Sequence, residues 1–127
     1  MAVTASPTNL RVDKRMVVFQ WAGLTNGNAG KPYESTMFSD KSVHIFGTFG
    51  LGGSVTIYGS NDPNDLNTEP GVSGNWVVLT DPQANAITKT ALAIEQILEN
   101  PLLICPKVTA GDGTTAITVT IAAKGMI

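Results

Sequence analysis

Apolar and polar residues alternate along much of this chain with a period of two, the spacing of a strand that buries one face. The clearest case is Thr115-Ala116-Ile117-Thr118-Val119-Thr120-Ile121, with Ile117, Val119 and Ile121 on one side and Thr118 and Thr120 on the other. The turn signal Ala110-Gly111-Asp112-Gly113-Thr114 precedes it, and Leu102–Val108 lies before that. Asp-Gly supplies the positive φ that a tight hairpin needs, so a hairpin is predicted between 102–108 and 115–121. A second is predicted where Ser42–Phe49 (Val43, Ile45 and Phe49 on one side) meets Ser54–Gly59 (Val55 and Ile57 inward) across Gly50-Leu51-Gly52-Gly53. Met16–Trp21 and Asn75–Leu79 read as further strands from their β-branched and aromatic content.

The stretch Ala86–Glu99 has two readings. Ala91, Leu92, Ile94, Ile97 and Leu98 fit a helical stripe, while Leu92, Ile94 and Leu98 also fit alternation. Strand is favoured over 86–90; 91–98 stays open, with strand slightly preferred. Asn100-Pro101 ends the segment in either case. Gly23–Asp40 is too long for a simple turn and is expected to be functional or to contact a neighbour. Residues 1–15, polar and carrying Pro7, read as an extended N-terminal arm, with a frayed terminus or an edge strand as the other reading, leaving 16–127 as one β domain. The strand count is about seven or eight with no βαβ unit, so the expected fold is all-β, an antiparallel β-sandwich or jelly roll.

A chain of 127 residues is one domain in the simplest reading. It is long enough to bury a core without metal or disulfide. Only 14% of residues are charged and the net charge is -2. No long-range field therefore marks a nucleic-acid binder, and low charge suits a protein that lies against other protein surfaces. No signal-peptide core and no stretch approaching the roughly 20 apolar residues of a membrane span are present. Synthesis in a cytoplasm without export by the common route is expected, and no membrane partner.

Candidate chemistry is sparse. His44 is the one histidine, with no partners that the sequence identifies, and reads as a half-buried structural residue. Gly47, Gly50, Gly52 and Gly53 precede a strand rather than a helix, and Gly30-Lys31 is followed by Pro32, which has no hydroxyl for magnesium. Asn61-Asp62-Pro63-Asn64-Asp65 has oxygen ligands but lacks the spacing of a calcium loop; these are ordinary turn residues. Trp21, Phe46, Tyr58 and Trp76 lie in predicted strands and read as core or boundary rings. Glu95 and Glu99 read as solvated, and Cys105 as a buried, inert thiol. No catalytic, cofactor-binding or metal-binding residue is assigned, and the expectation is a protein that is not an enzyme.

Three runs carry a family resemblance: Ser54–Asp62, Asn75–Ala86 and Glu99–Thr115, extending back to Met16–Gly27 and Gly47–Phe49. Together they resemble a family of small virion structural proteins of tailed bacteriophages. The resemblance implies a capsid decoration (cement) role on the outside of the head, with the major capsid protein as partner and self-association, as a trimer. On that reading the arm and the 23–40 loop touch the shell, through Arg11, Lys14, Arg15, Lys31 and Tyr33. The chain departs from the family's pattern at Cys105, where similar sequences carry arginine, and at 64–72, which looks like an insertion. The Gly59-Ser60-Asn61-Asp62 to Trp76 spacing also echoes discoidin-type sandwiches, which implies a carbohydrate-binding or adhesion module as the alternative.

Overall fold

A computed structural model of the chain describes residues 3–12, 15–34 and 38–125. Its strands are β1 (Val3–Ala5), β2 (Thr8–Val12), β3 (Met16–Leu24), β4 (Ala29–Gly30), β5 (Tyr33–Glu34), β6 (Asp40–Thr48), β7 (Ser54–Ser60), β8 (Val77–Val78), β9 (Thr88–Lys89), β10 (Ala93–Ile97), β11 (Leu103–Ala110) and β12 (Ala116–Lys124). A 3₁₀ turn over Pro63–Asn67 is the one helical element among the described residues. The fold is all-β. One sheet runs β1-β4-β11-β7-β8, with β5 on β11 and β9 on β7; the other runs β10-β6-β12-β3-β2. Every pairing is antiparallel except that of β1 with β4.

The inward rows are those that alternation marks. Phe19 and Trp21 on β3, Val43 and Ile45 on β6, and Ile117, Val119 and Ile121 on β12 face Val55 and Ile57 on β7 and Ile104 and Val108 on β11, all fully buried. Phe19 meets Trp21 edge-on at 5.4 Å and stacks on Tyr33 at 3.7 Å. Trp21 lies against Gly30, where an added Cβ would sit 2.4 Å from the indole, so β4 can approach only as glycine. The indole N–H donates to the Lys31 carbonyl at 2.8 Å. The long 23–40 segment thus carries β4 and β5, both paired to β11. Pro106, in the middle of β11, falls where that neighbouring strand is interrupted between β4 and β5, so its missing N–H leaves no ladder bond broken. There the Cys105 thiol donates to the Gly30 carbonyl at 3.1 Å.

Neither predicted hairpin forms. β6 and β7 lie in different sheets, and so do β11 and β12. Alternation assigns the same residues to the core whether two strands pair or face each other, so it does not distinguish a hairpin from a corner that crosses the sandwich. The two corners are tied together. Asp112 accepts the Leu51 N–H at 2.8 Å and, through its other oxygen, the Thr114 N–H and hydroxyl at 2.8 and 2.7 Å. Thr115 donates its hydroxyl to the Phe49 carbonyl at 2.8 Å and accepts the Asp112 N–H at 2.9 Å. Gly50, at φ 71, leaves room for the Asp112 carboxylate. Within 91–98, Ala93–Ile97 is strand, but Ile94 faces out and Ile97 in.

Candidate interaction surface

The interior holds few ionisable groups, and each meets a partner. Lys41 is 1% exposed and donates to the Phe38 carbonyl and to Asn100 Oδ1, both at 2.7 Å; burial lowers its pKa. Asp65 accepts the Ser60 and Thr68 hydroxyls and the Asn75 N–H. Burial opposes its charge, but those donors outweigh it and hold the carboxyl below the usual range. Lys107 pairs with buried Glu69 at 3.4 Å. The Asn85 N–H, helped by that of Gln83, keeps the Asp81 carboxyl low. Among the described residues no buried side-chain nitrogen or oxygen lacks a partner. Burial pushes the Cys105 thiol up, away from the reactive thiolate.

These carboxylates set a pH dependence. Glu99 is also held low: burial opposes its charge, but the Thr80 hydroxyl and N–H prevail. Asp112 is lowest, at about 2, chiefly through the Thr114 hydroxyl and then the Leu51 and Thr114 N–H groups. A carboxyl depressed in the fold contributes stability that is complete above its unfolded pKa and is lost as pH falls through the folded one. Unfolding free energy is therefore expected to hold near neutrality and to decline between about pH 4 and pH 2. Urea titrations across that window check it; a midpoint that does not move would contradict the carboxylate assignments.

Two side-chain expectations need correction. His44 is exposed on the outer face of the five-stranded sheet, its ring 4.9 Å from Phe46, because its strand position points away from the core. Glu95 and Glu99 are not simply solvated: Glu95 pairs with Lys89 at 3.7 Å, and Glu99 receives the Thr80 N–H at 2.8 Å and also its hydroxyl. Tyr58 and Trp76 are half-buried, and Trp76 donates its N–H to Thr68 at 2.9 Å. Asp62 caps the 3₁₀ turn, accepting the Asn64 N–H, so the acidic loop is built as a turn.

Of the residues assigned to contact, Lys14 lies outside the described residues. Arg11 is exposed on β2, the edge strand beside β3, and exposed Arg15 follows it. Tyr33 stacks on Phe19 and donates its hydroxyl to Asn9 of β2 at 3.1 Å, with its own ionisation raised by burial. Lys31, two residues earlier, is exposed while its carbonyl holds Trp21. The Tyr33–Asn9 bond therefore joins edge strand β2 to the 23–40 segment along one side of the sandwich.

The sequence reading missed a second group, at the opposite edge of the same sheet. Leu92, Ile94 and Leu98 are 70%, 65% and 53% exposed on and beside β10. Cross-strand register places Ile94 next to His44. A shallow polar depression of about 260 Å³, lined by Asp40, Ser42, Gln96, Ala122 and Lys124, adjoins them. In the sequence Leu92 and Ile94 fit either a helical stripe or a strand row; only the sheet assignment shows that they face out. On the other sheet a groove of about 200 Å³ runs between Val77, Leu79, Glu99 and Pro101.

No protein-family model matches the chain, and no characterised protein matches it in sequence. Among solved structures it is similar to the SPBc2 prophage-derived protein YomS, with a TM-score of 0.60 and 12% identity over 91% of this chain and 99% of that one. It is also similar to a cupin domain from Bordetella pertussis Tohama I, with a TM-score of 0.51 and 16% identity over 98% of each chain. At these identities the likeness is one of fold: an all-β body of two facing sheets.

Proposed function

We propose that this chain is a structural protein of a tailed-phage virion that decorates and stabilises the head shell, and that it carries out no catalysis. One observation carries the reading: the buried polar groups are used within the body, while large apolar side chains stand outside it at both edges of one sheet, Leu10 and Val12 at β2 and Leu92 and Ile94 at β10. Such a surface favours adhesion. The sequence resemblance to virion structural proteins supports the phage assignment, and the shared fold of a prophage-derived protein agrees with it.

The mechanism is mechanical. A cement protein on an expanded shell adds buried area across subunit seams, at about 25 cal/mol for each Å² of apolar surface before the cost of association. Many copies on one particle make modest contacts collectively strong. The partner is the major capsid protein, met by Arg11, Lys14 and Arg15 on the arm side and by Lys31 and Tyr33 on the adjoining segment. The protein is made in the host cytoplasm and ends on the capsid surface.

Expanded heads stripped of the protein and incubated with it test this. Wild type is expected to bind at high copy number, and Arg11→Glu with Lys31→Glu to weaken binding at least about tenfold, or ~1.4 kcal/mol. Undiminished occupancy removes this side of the molecule from the contact. Purified virions that contain no copies of the chain would remove the function.

A further inference from the structure

β10 is the end of its sheet, with β6 as its one ladder partner. The Leu98 N–H bonds the Thr80 carbonyl, and among the described residues no other backbone bond ties β10 to a neighbour besides β6. Strand groups alternate in direction, so the N–H and C=O of Ile94 and Gln96 point the same way as those of Leu98, out of the sheet. An open edge of this kind is a template for another strand, and proteins usually blunt it with lysine, proline or a bulge. β10, Ala93-Ile94-Glu95-Gln96-Ile97, has no lysine, proline or bulge, its register with β6 is unbroken, and its one inward charge, Glu95, is paired with Lys89.

We propose that β10 pairs antiparallel with β10 of a second copy about a two-fold axis near Ile94. Charge selects this occupant. The outer row, Leu92, Ile94, Gln96 and Leu98, is uncharged, so nothing in it attracts a basic or acidic partner or repels its own copy. The one charge in the strand, Glu95, is held by Lys89 at 3.7 Å. About an axis through Ile94, Glu95 falls opposite Ala93 of the second copy rather than opposite its own equivalent, so no like charges meet. Leu92 falls opposite Gln96, and Ile94 opposite Ile94. The exchange closes the outward backbone groups of Ile94 and Gln96 and covers the edge side of Leu92 and Ile94 in one step. The opposite edge lacks this self-match, because β2 presents Arg11 and carries a register shift between Asn9 and Arg11. The result is a continuous sheet across two subunits, with two-fold symmetry in place of the three-fold implied by the family resemblance.

Sedimentation of the purified protein at about 100 µM, a concentration suited to a small edge interface, gives the first reading. A dimer is expected, and Ile94→Lys is expected to weaken it at least about tenfold by setting two cations face to face. Because Ile94 is 65% exposed, the variant should keep the wild-type circular dichroism and melting temperature. In the second reading, Ile94→Cys is treated with a mild oxidant. Directly opposed residues of a bonded pair lie about 5.5 Å apart at Cα, within reach of a disulfide, so a covalent dimer should form in which the added oxidant takes up two electrons. Buried Cys105 does not compete. A wild-type monomer, a wild-type trimer, or a dimer unchanged by Ile94→Lys overturns the proposal. So does an edge that binds expanded heads while the free protein stays monomeric. These measurements use the protein alone, so their failure is separate from failure of the head assignment.

Discussion

Replacing Trp21 by alanine is expected to destabilise the fold by about 3–5 kcal/mol, the range for truncating a large aromatic side chain in a packed core. Trp21 is fully buried and touches both sheets. It makes a T-shaped contact with Phe19 on its own strand, it lies against the backbone of Gly30, and its N–H holds the Lys31 carbonyl. Removing the ring opens a cavity that Gly30, without a side chain, cannot fill. Trp21→Phe keeps much of the packing but leaves the Lys31 carbonyl without its donor, so a smaller loss of about 1–3 kcal/mol is expected. Urea denaturation of the three proteins measures both. A loss below about 1 kcal/mol for Trp21→Ala would mean that the segment after β3 repacks freely. The result bears on function as well, because the same contact positions Lys31 and Tyr33, the residues assigned to the shell.

Which side chains are buried was largely legible in the sequence; which strands touch was not. Val43, Ile45, Ile117, Val119 and Ile121 follow from alternation alone, because burial of one face needs no knowledge of the partner. Pairing depends on the direction taken after each turn, and that is set by contacts distant in sequence. Leu51 turns as it does because Asp112, 61 residues away, accepts its N–H. The same gap explains β10. Leu92 and Ile94 look like core in isolation, yet Ala93, Glu95 and Ile97 take the inner side, with Ile97 2% exposed. Lys41 was equally hidden: nothing near it in sequence shows that Asn100, 59 residues on, receives its ammonium. Arg11, Lys31 and Tyr33 came from a resemblance, and the sequence did not show that β2 and Tyr33 meet through Asn9.

The second large effect is expected at the paired corners. Thr115→Val should cost about 2–4 kcal/mol, although it changes neither size nor shape appreciably. Thr115 is 2% exposed, and its hydroxyl both donates to Phe49 and accepts from Asp112. Valine offers neither bond, and a buried group left without a partner costs roughly 1–3 kcal/mol. Phe49 and Asp112 are both half-buried, so water can reach part of what is freed and the two losses do not add in full. Thr120→Val is the control. That hydroxyl, half-buried on the outer face, accepts one bond from Gln20 at 2.9 Å, and water can replace the donor; a change within about 1 kcal/mol is expected. Denaturation curves of the two variants separate a generic threonine effect from one specific to the corner. Equal stability in both would mean that the crossings between sheets are held by backbone geometry and glycine alone. A large gap would show that two turns distant in sequence fold as one unit, which is the condition for the two sheets to close on each other.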